Sequence, residues 1–205
     1  MWLMRHVWSA GTLALDDRGP VIEGPAVLFE IARVSRDDPI LERHGDPERL
    51  ALYSRKFSEE AVVPPFKYSY GARIKGQLRW AADLLRLKPY SKSAWISLTE
   101  PGEAYDAVPC LVGLAFRIRQ DALVMTASFR SQNAYTSYLN YVPLADVHAR
   151  MARTLRMERG PMRVFVDVPH LYLADSTQVL TIMRRPVPRQ RTAARRYPQA
   201  PSARP

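Results

Sequence analysis

Pro109-Cys110-Leu111-Val112-Gly113-Leu114-Ala115-Phe116-Arg117-Ile118-Arg119-Gln120-Asp121-Ala122-Leu123-Val124-Met125-Thr126-Ala127-Ser128-Phe129-Arg130-Ser131-Gln132-Asn133 is the stretch on which the reading of this chain turns. Two apolar runs, Cys110 to Ile118 and Ala122 to Phe129, flank the short polar turn Arg119-Gln120-Asp121, and that pattern predicts a β-hairpin. In a hairpin the start of one strand and the end of the next are neighbours in space. Cys110 and Arg130-Ser131 are therefore predicted at one end of the same hairpin.

Downstream, Leu144, Val147, Met151 and Leu155 mark a long helix, for which Gly160 supplies a stop. Met162 to Val168 alternates as a strand does, and Gln178 to Met183 reads as a last strand. Upstream, Leu78, Ala81, Ala82 and Leu85 fall at helical spacing within a helix over Gly76 to Lys88, which Pro89 ends. Tyr68 to Arg73 before it reads as a loop, and Ala94 to Leu98 after it as a buried strand. Pro47 suits a first helical turn and Asp46 its cap, so a helix is expected from Pro47 to about Glu60 with Leu50, Tyr53 and Phe57 on one face. Residues 1–35 read as strands and turns, with turn clusters at Asp16-Asp17-Arg18-Gly19-Pro20 and Glu23-Gly24-Pro25. The fold class expected is α+β: a mixed or mainly antiparallel sheet packed by helices near 76–88 and 143–157.

The chain has 205 residues, 47% of them hydrophobic, enough for one domain with a real core. No apolar run reaches the roughly 18 to 20 residues a membrane span needs, and Met1-Trp2-Leu3-Met4-Arg5-His6 does not open a signal peptide. One cysteine excludes an internal disulfide framework and a multi-cysteine zinc site; a cytoplasmic protein with a free thiol is expected. The formal net charge is +10, but residues 184–205 hold seven arginines and no acid, leaving +3 for residues 1–183. The expected division is a domain over 1–183 and a disordered basic tail over 184–205, able to touch nucleic acid only weakly.

Each candidate residue has a bland reading beside the chemical one. Cys110 is a small buried core residue or a nucleophile, and a thiol becomes a thiolate near neutral pH only beside a cation or hydrogen-bond donor. Arg130-Ser131 is a solvated strand end or an anion grip, since arginine binds phosphate bidentately and serine adds a donor. Asn133 and Asn140 cap turns or read an amide edge. His170 and Tyr172 alternate on an extended segment and point the same way, either as a polar cluster or as a pair holding a sugar hydroxyl.

Taken in order, Pro109-Cys110, Arg130-Ser131, Asn140 and His170-Leu171-Tyr172 resemble the thymidylate synthase family, which carries a Pro-Cys nucleophile, an Arg-Ser, an asparagine and a His-Leu-Tyr in that sequence. Tyr70-Gly71 looks like the family's Tyr-Gly before its long helix. Pro89-Tyr90-Ser91-Lys92-Ser93, with Ser97 beyond it, looks like its Pro-Asp-Ser-Arg-Arg segment. The resemblance spans roughly residues 20–183. It implies Cys110, Tyr70 and Asn140 as catalytic residues, with Cys110 attacking carbon 6 of a uracil ring. Arg130 and Ser131 would hold the nucleotide phosphate, Asn140 the uracil amide edge, and His170 and Tyr172 the ribose hydroxyl. Lys92 would reach the phosphate in the partner subunit of a homodimer built back to back through its sheets. Methylenetetrahydrofolate would supply the carbon and the reducing equivalents, with Asn133 at the pterin position.

Several positions depart from the family's pattern. Asn133 stands for an aspartate, Leu111 for the histidine after the cysteine, and Lys92-Ser93 for an arginine pair. The segment between Arg130 and Asn140 is one residue short, the glutamate-bearing helix has no clear match, although Glu59 or Glu60 could stand in, and the arginine tail replaces an apolar closing segment. The resemblance thus implies methylation of dUMP. One alternative is hydroxymethylation of a pyrimidine nucleotide, in which water captures the methylene. Another is a non-catalytic nucleotide- or RNA-binding relative.

Overall fold

The computed structural model describes residues 1–184, so the tail expected over 184–205 lies, apart from Arg184, outside the described residues. The chain runs α1 (Trp2–Ala10), β1 (Thr12–Asp16), β2 (Gly19–Glu23), β3 (Val27–Ile31), α2 (Pro39–His44), α3 (Pro47–Ser58), α4 (Tyr70–Leu87), β4 (Trp95–Ser97), β5 (Leu111–Arg119), β6 (Ala122–Asn133), α5 (Tyr138–Leu155), β7 (Glu158–Tyr172) and α6 (Ser176–Met183). No described helix is long and apolar enough to cross a membrane.

The hairpin forms as the pattern dictates. Gln120 and Asp121 both adopt positive φ, 48° and 59°, the conformation of a two-residue turn whose twist matches the flanking strands. Arg119 then faces Ala122, and the ladder runs back to Leu111 opposite Phe129. One extra residue, Val112, sits between the Leu111–Phe129 and Gly113–Ser128 pairs. It forms a bulge that re-aims the strand just after Cys110.

Six strands lie in the order β1-β2-β7-β6-β5-β4, and β3 also pairs with β7, giving a seven-stranded sheet. All pairs are antiparallel except β6 with β7, which run parallel because α5 carries the chain back between them. The sheet is thus mixed. Helices α4 and α5 cover one face, where Ile74, Leu85, Tyr141, Leu144 and Met151 pack on Leu114, Phe116, Met125, Phe129 and Val164.

Four expectations are corrected. Residues 2–10 are a helix, because Leu3, Met4 and Val7 share one stripe that packs against Leu171, Val179 and Ile182. Residues 176–183 are likewise a helix rather than a strand, with Val179 and Ile182 buried one turn apart. α4 begins at Tyr70, not Gly76: the Ser69 hydroxyl accepts the Ala72 N–H at 3.1 Å and caps the helix six residues early. α5 is closed by Arg156, left-handed at φ 55°, and not by Gly160. Gly160 lies within β7, where a Cβ would stand 2.9 Å from the Leu123 carbonyl oxygen.

Candidate active site

The hairpin end carries the centre of the site. Arg130 N–H donates to the Cys110 carbonyl at 2.9 Å, which places the arginine directly across from the thiol residue. The Arg130 guanidinium turns onto the approach to Cys110, with Nε donating to the Pro109 carbonyl at 3.1 Å and Nη2 to the Val108 carbonyl at 2.8 Å. Both bonds fix the segment that presents the thiol, and Cys110 itself is partly exposed. On the core side the Leu111 N–H donates to the hydroxyl of Tyr70 at 3.2 Å. Tyr70 is fully buried, and that burial raises its phenol well above its usual range, so it stays a neutral group.

The neighbouring parallel strand, β7, brings His170 and Tyr172. Ser131, Gln132 and Asn133 lie opposite Val168, Pro169 and His170. Ser131 Oγ is 3.5 Å from His170 Nδ1, which also lies 3.2 Å from the Val168 carbonyl. Burial lowers the His170 pKa, more than the carbonyl bond restores, so the ring is neutral at physiological pH. The Tyr172 ring meets the His170 ring edge to face at 5.3 Å. Its hydroxyl donates to Asp16 at 2.8 Å, and its pKa is pushed up to about 12, by burial first and by that bond second. The pair expected to face a sugar is therefore anchored to β1.

Asn140 lies in the first turn of α5, and its Nδ2 donates to Gln132 Oε1 at 3.3 Å. Gln132, buried on β6, turns the Asn140 amide toward the strand end. Asn133 uses its side-chain oxygen to accept the Tyr135 N–H at 2.9 Å, in a turn that leads toward α5. Lys92 stands apart. Its carbonyl accepts from Arg117, seven residues along β5 from Cys110 and so about 20 Å away at strand spacing. Within one chain Lys92 does not join this site.

Three groups at the site escaped the sequence reading. The ammonium of Lys56, from the last turn of α3, sits 4.0 Å from the Tyr68 ring centroid and 4.4 Å from those of Phe66 and Tyr70. Arg73, on α4, stacks over Tyr68 and is ion-paired to Glu103. Asp16 anchors Tyr172. The Lys56 signal was present: it sits three residues after Tyr53 and beside Phe57, inside the apolar stripe of its helix, where a solvated charge has no place.

The local chain explains the cage. Ser69 donates to the Glu59 carbonyl and caps α4, and Gly71 lies so close to α3 that a Cβ there would stand 2.2 Å from the Glu59 carbonyl oxygen. The Tyr68-Ser69-Tyr70 segment is thereby pressed over Lys56. Gly71→Ala is expected to cost about 1–3 kcal/mol, read as a lower urea midpoint, because backbone must move to admit the methyl.

A groove of about 400 Å³ lies on the helical side between α3, α4 and α5, with Lys75, Arg79, Arg86 and Arg150 on its walls. Glu60 and Gly71 line it, whereas Cys110, Arg130, Ser131, Asn140, His170 and Tyr172 do not. No group of side chains suited to a metal ion exists among the described residues.

The fold is mixed α+β, and the candidate residues Cys110, Arg130, Ser131, His170 and Tyr172 gather at one end of its sheet. No family model matches the chain. Two proteins named "Putative thymidylate synthase", from Methanosarcina mazei and Methanosarcina acetivorans, are 24% and 25% identical to it over 190 residues, 87% of this chain and of each of theirs. One of the same name from Methanothermobacter thermautotrophicus is 31% identical over 133 residues, 61% of this chain and 60% of its own. The chain is thus similar, over most of its length, to proteins of that name.

Proposed function

We propose that the protein transfers a one-carbon unit to carbon 5 of a uridine nucleotide, dUMP in the leading case, through a covalent adduct on Cys110. The observation that carries this reading is the 2.9 Å bond from Arg130 N–H to the Cys110 carbonyl, which sets nucleophile and anion grip side by side. Ser131 is next in line, and His170 and Tyr172 follow on the adjacent strand.

The chemistry follows from the residues. The Cys110 thiolate adds to carbon 6, and the electron pair displaced from the 5,6 double bond makes carbon 5 nucleophilic. Arg130 exchanges its bonds to the Val108 and Pro109 carbonyls for a phosphate, a stronger acceptor. Asn140 offers one donor and one acceptor to the amide edge of the ring. Tyr70 keeps the Cys110–Leu111 backbone in place, and after carbon 5 has reacted and lost its proton the thiolate leaves.

Methylenetetrahydrofolate is the one-carbon donor that fits the family. Asn133 fits it only in part, since its oxygen is engaged with Tyr135 N–H and an amide carries no charge toward the pterin. A homodimer is part of the proposal. Two registered rows, Trp95-Ala115-Thr126-Arg163-Glu30 and Ser97-Gly113-Ser128-Phe165-Leu28, form the sheet face opposite α4 and α5. Leu28, Trp95 and Phe165 remain 64%, 45% and 38% exposed there, an apolar surface that a second sheet would cover. Phe165→Glu is expected to shift the sedimenting species from dimer to monomer; an unchanged dimer would place the interface elsewhere.

The test is a mass-spectrometric product assay with methylenetetrahydrofolate and each of dUMP, UMP, dCMP and CMP. A methylated uracil nucleotide is expected. A hydroxymethylated product would move the reaction to capture by water. No product from any nucleotide would refute the transfer and leave binding as the function.

A further inference from the structure

The groove between α3, α4 and α5 takes no part in the chemistry above. Its floor is apolar, formed by the buried side chains of Phe57, Ala82 and Met151. Its walls carry four cations and one carboxylate, Glu60. Lys75 takes that carboxylate, and Arg86 is held by Asp83 at 2.7 Å and by the Thr154 carbonyl at 2.8 Å. Arg79 from α4 and Arg150 from α5 have no ion pair and no side-chain hydrogen bond among the described residues. Lys75 and Arg79 stand one helical turn apart, a like-charge spacing that costs α4 stability, and Arg150 brings a further cation from the facing helix. A lone unpaired arginine on a helix face is ordinary. Two on opposite walls of one hollow with an apolar floor focus a positive field into it.

We propose that this groove is a second anion site, which binds a phosphomonoester carried on a flat apolar group. The charge matches: a phosphomonoester bears about −1.5 to −2 at neutral pH, and two guanidiniums are free to meet it. The geometry of arginine matches too, since its planar fork takes phosphate oxygens two at a time. The rings of the ligand would lie on Phe57, Ala82 and Met151, and about 400 Å³ is room for one small organic molecule. The arginines of residues 184–205 have the same sign as the walls, so the chain's own tail is repelled from the groove. The site is separate from the Cys110 end of the sheet. Arg150 lies ten residues beyond Asn140 on α5, roughly 15 Å along the helix, and the inference holds whether or not the nucleotide chemistry does.

Naphthyl phosphate is the probe, and its fluorescence anisotropy reads binding to the full-length protein at physiological salt. Saturable binding is expected. Arg79→Gln and Arg150→Gln should each weaken it by about tenfold or more, and Arg130→Gln should leave it unchanged. Both groove positions are exposed and make no side-chain bonds, so these substitutions spare the fold. Naphthol, which has the rings without the charge, and inorganic phosphate, which has the charge without the rings, should each bind at least tenfold more weakly. The probe should also raise the thermal midpoint of the unsubstituted protein, a measurement that needs no variant. Binding lost in Arg130→Gln but kept in both groove variants would place the anion at the Cys110 end and overturn the assignment. Equal affinity for naphthol or for inorganic phosphate would overturn the ligand class. An unmoved midpoint and no saturable binding at millimolar probe would overturn the site itself.

Discussion

Cys110→Ser is expected to lower turnover by on the order of 10³-fold or more while the protein stays folded. A serine hydroxyl is not ionised near neutral pH and gains little from a neighbouring cation, whereas a thiol does. The substitution is isosteric at a partly exposed position, so Arg130 N–H keeps its carbonyl and Tyr70 keeps its bond to Leu111 N–H. Steady-state product formation by mass spectrometry, beside a thermal melt, separates chemistry from folding. Turnover retained within tenfold would show that the reaction does not pass through this sulfur.

Phe129→Ala carries the largest expected effect on stability, about 3–5 kcal/mol. Phe129 is 1% exposed, pairs with Leu111 on β5 and Val166 on β7, and meets the Tyr141 ring edge to face at 6.0 Å. It pins the hairpin end that bears Cys110 to the first turns of α5. Removing it opens a void among strands that cannot close inward, and the loss is a large share of the roughly 5–15 kcal/mol that holds a domain together. Urea denaturation reads it directly. A loss below about 1 kcal/mol would mean that the hairpin end is not packed as described.

The hairpin was legible because its signals are local: two apolar runs, a polar turn of fixed length, and residues whose neighbours follow from the ladder. α5 and the cap of α3 at Asp46 were legible for the same reason. What the sequence did not disclose is either non-local or masked by punctuation residues. Gly160 looks like a stop, yet it and Pro161 sit in a bulge of β7, where these two residues oppose the single Val124 between Leu123 and Met125, so strand pairing absorbs the proline. The parallel pairing of β6 with β7 depends on α5 bringing distant residues together, and no short pattern encodes it. Ser69-Tyr70-Gly71 resembles a loop in composition, but its serine is a helix cap and its glycine a close contact with α3.

The site divides along the same line. Cys110, Arg130, Ser131, Asn140, His170 and Tyr172 fall at one end of the sheet. Their partners Gln132 and Asp16, which orient Asn140 and Tyr172, gave no signal because each is an ordinary residue until its neighbour is known. Lys56 did give one, a lysine in an apolar stripe, but its meaning rests on rings 10 to 14 residues later in the chain. Lys92 is the opposite case: its resemblance to a phosphate ligand is visible in sequence, but its position far along β5 keeps it out of the site within one chain.

The measurement that bears most directly on the central claim, that the Cys110 sulfur adds to carbon 6 of a pyrimidine nucleotide, needs no one-carbon donor. Addition at carbon 6 makes carbon 5 nucleophilic, so in D₂O carbon 5 takes up deuterium, and expulsion of the thiolate with loss of the original hydrogen returns labelled nucleotide. Incubated in D₂O with dUMP, UMP, dCMP and CMP in turn, the protein is expected to raise the mass of a uracil nucleotide by about one unit, and the Cys110→Ser variant to leave it unchanged. Deuterium in none of the four nucleotides, with the protein folded and Cys110 reduced, would contradict covalent attack on the pyrimidine ring.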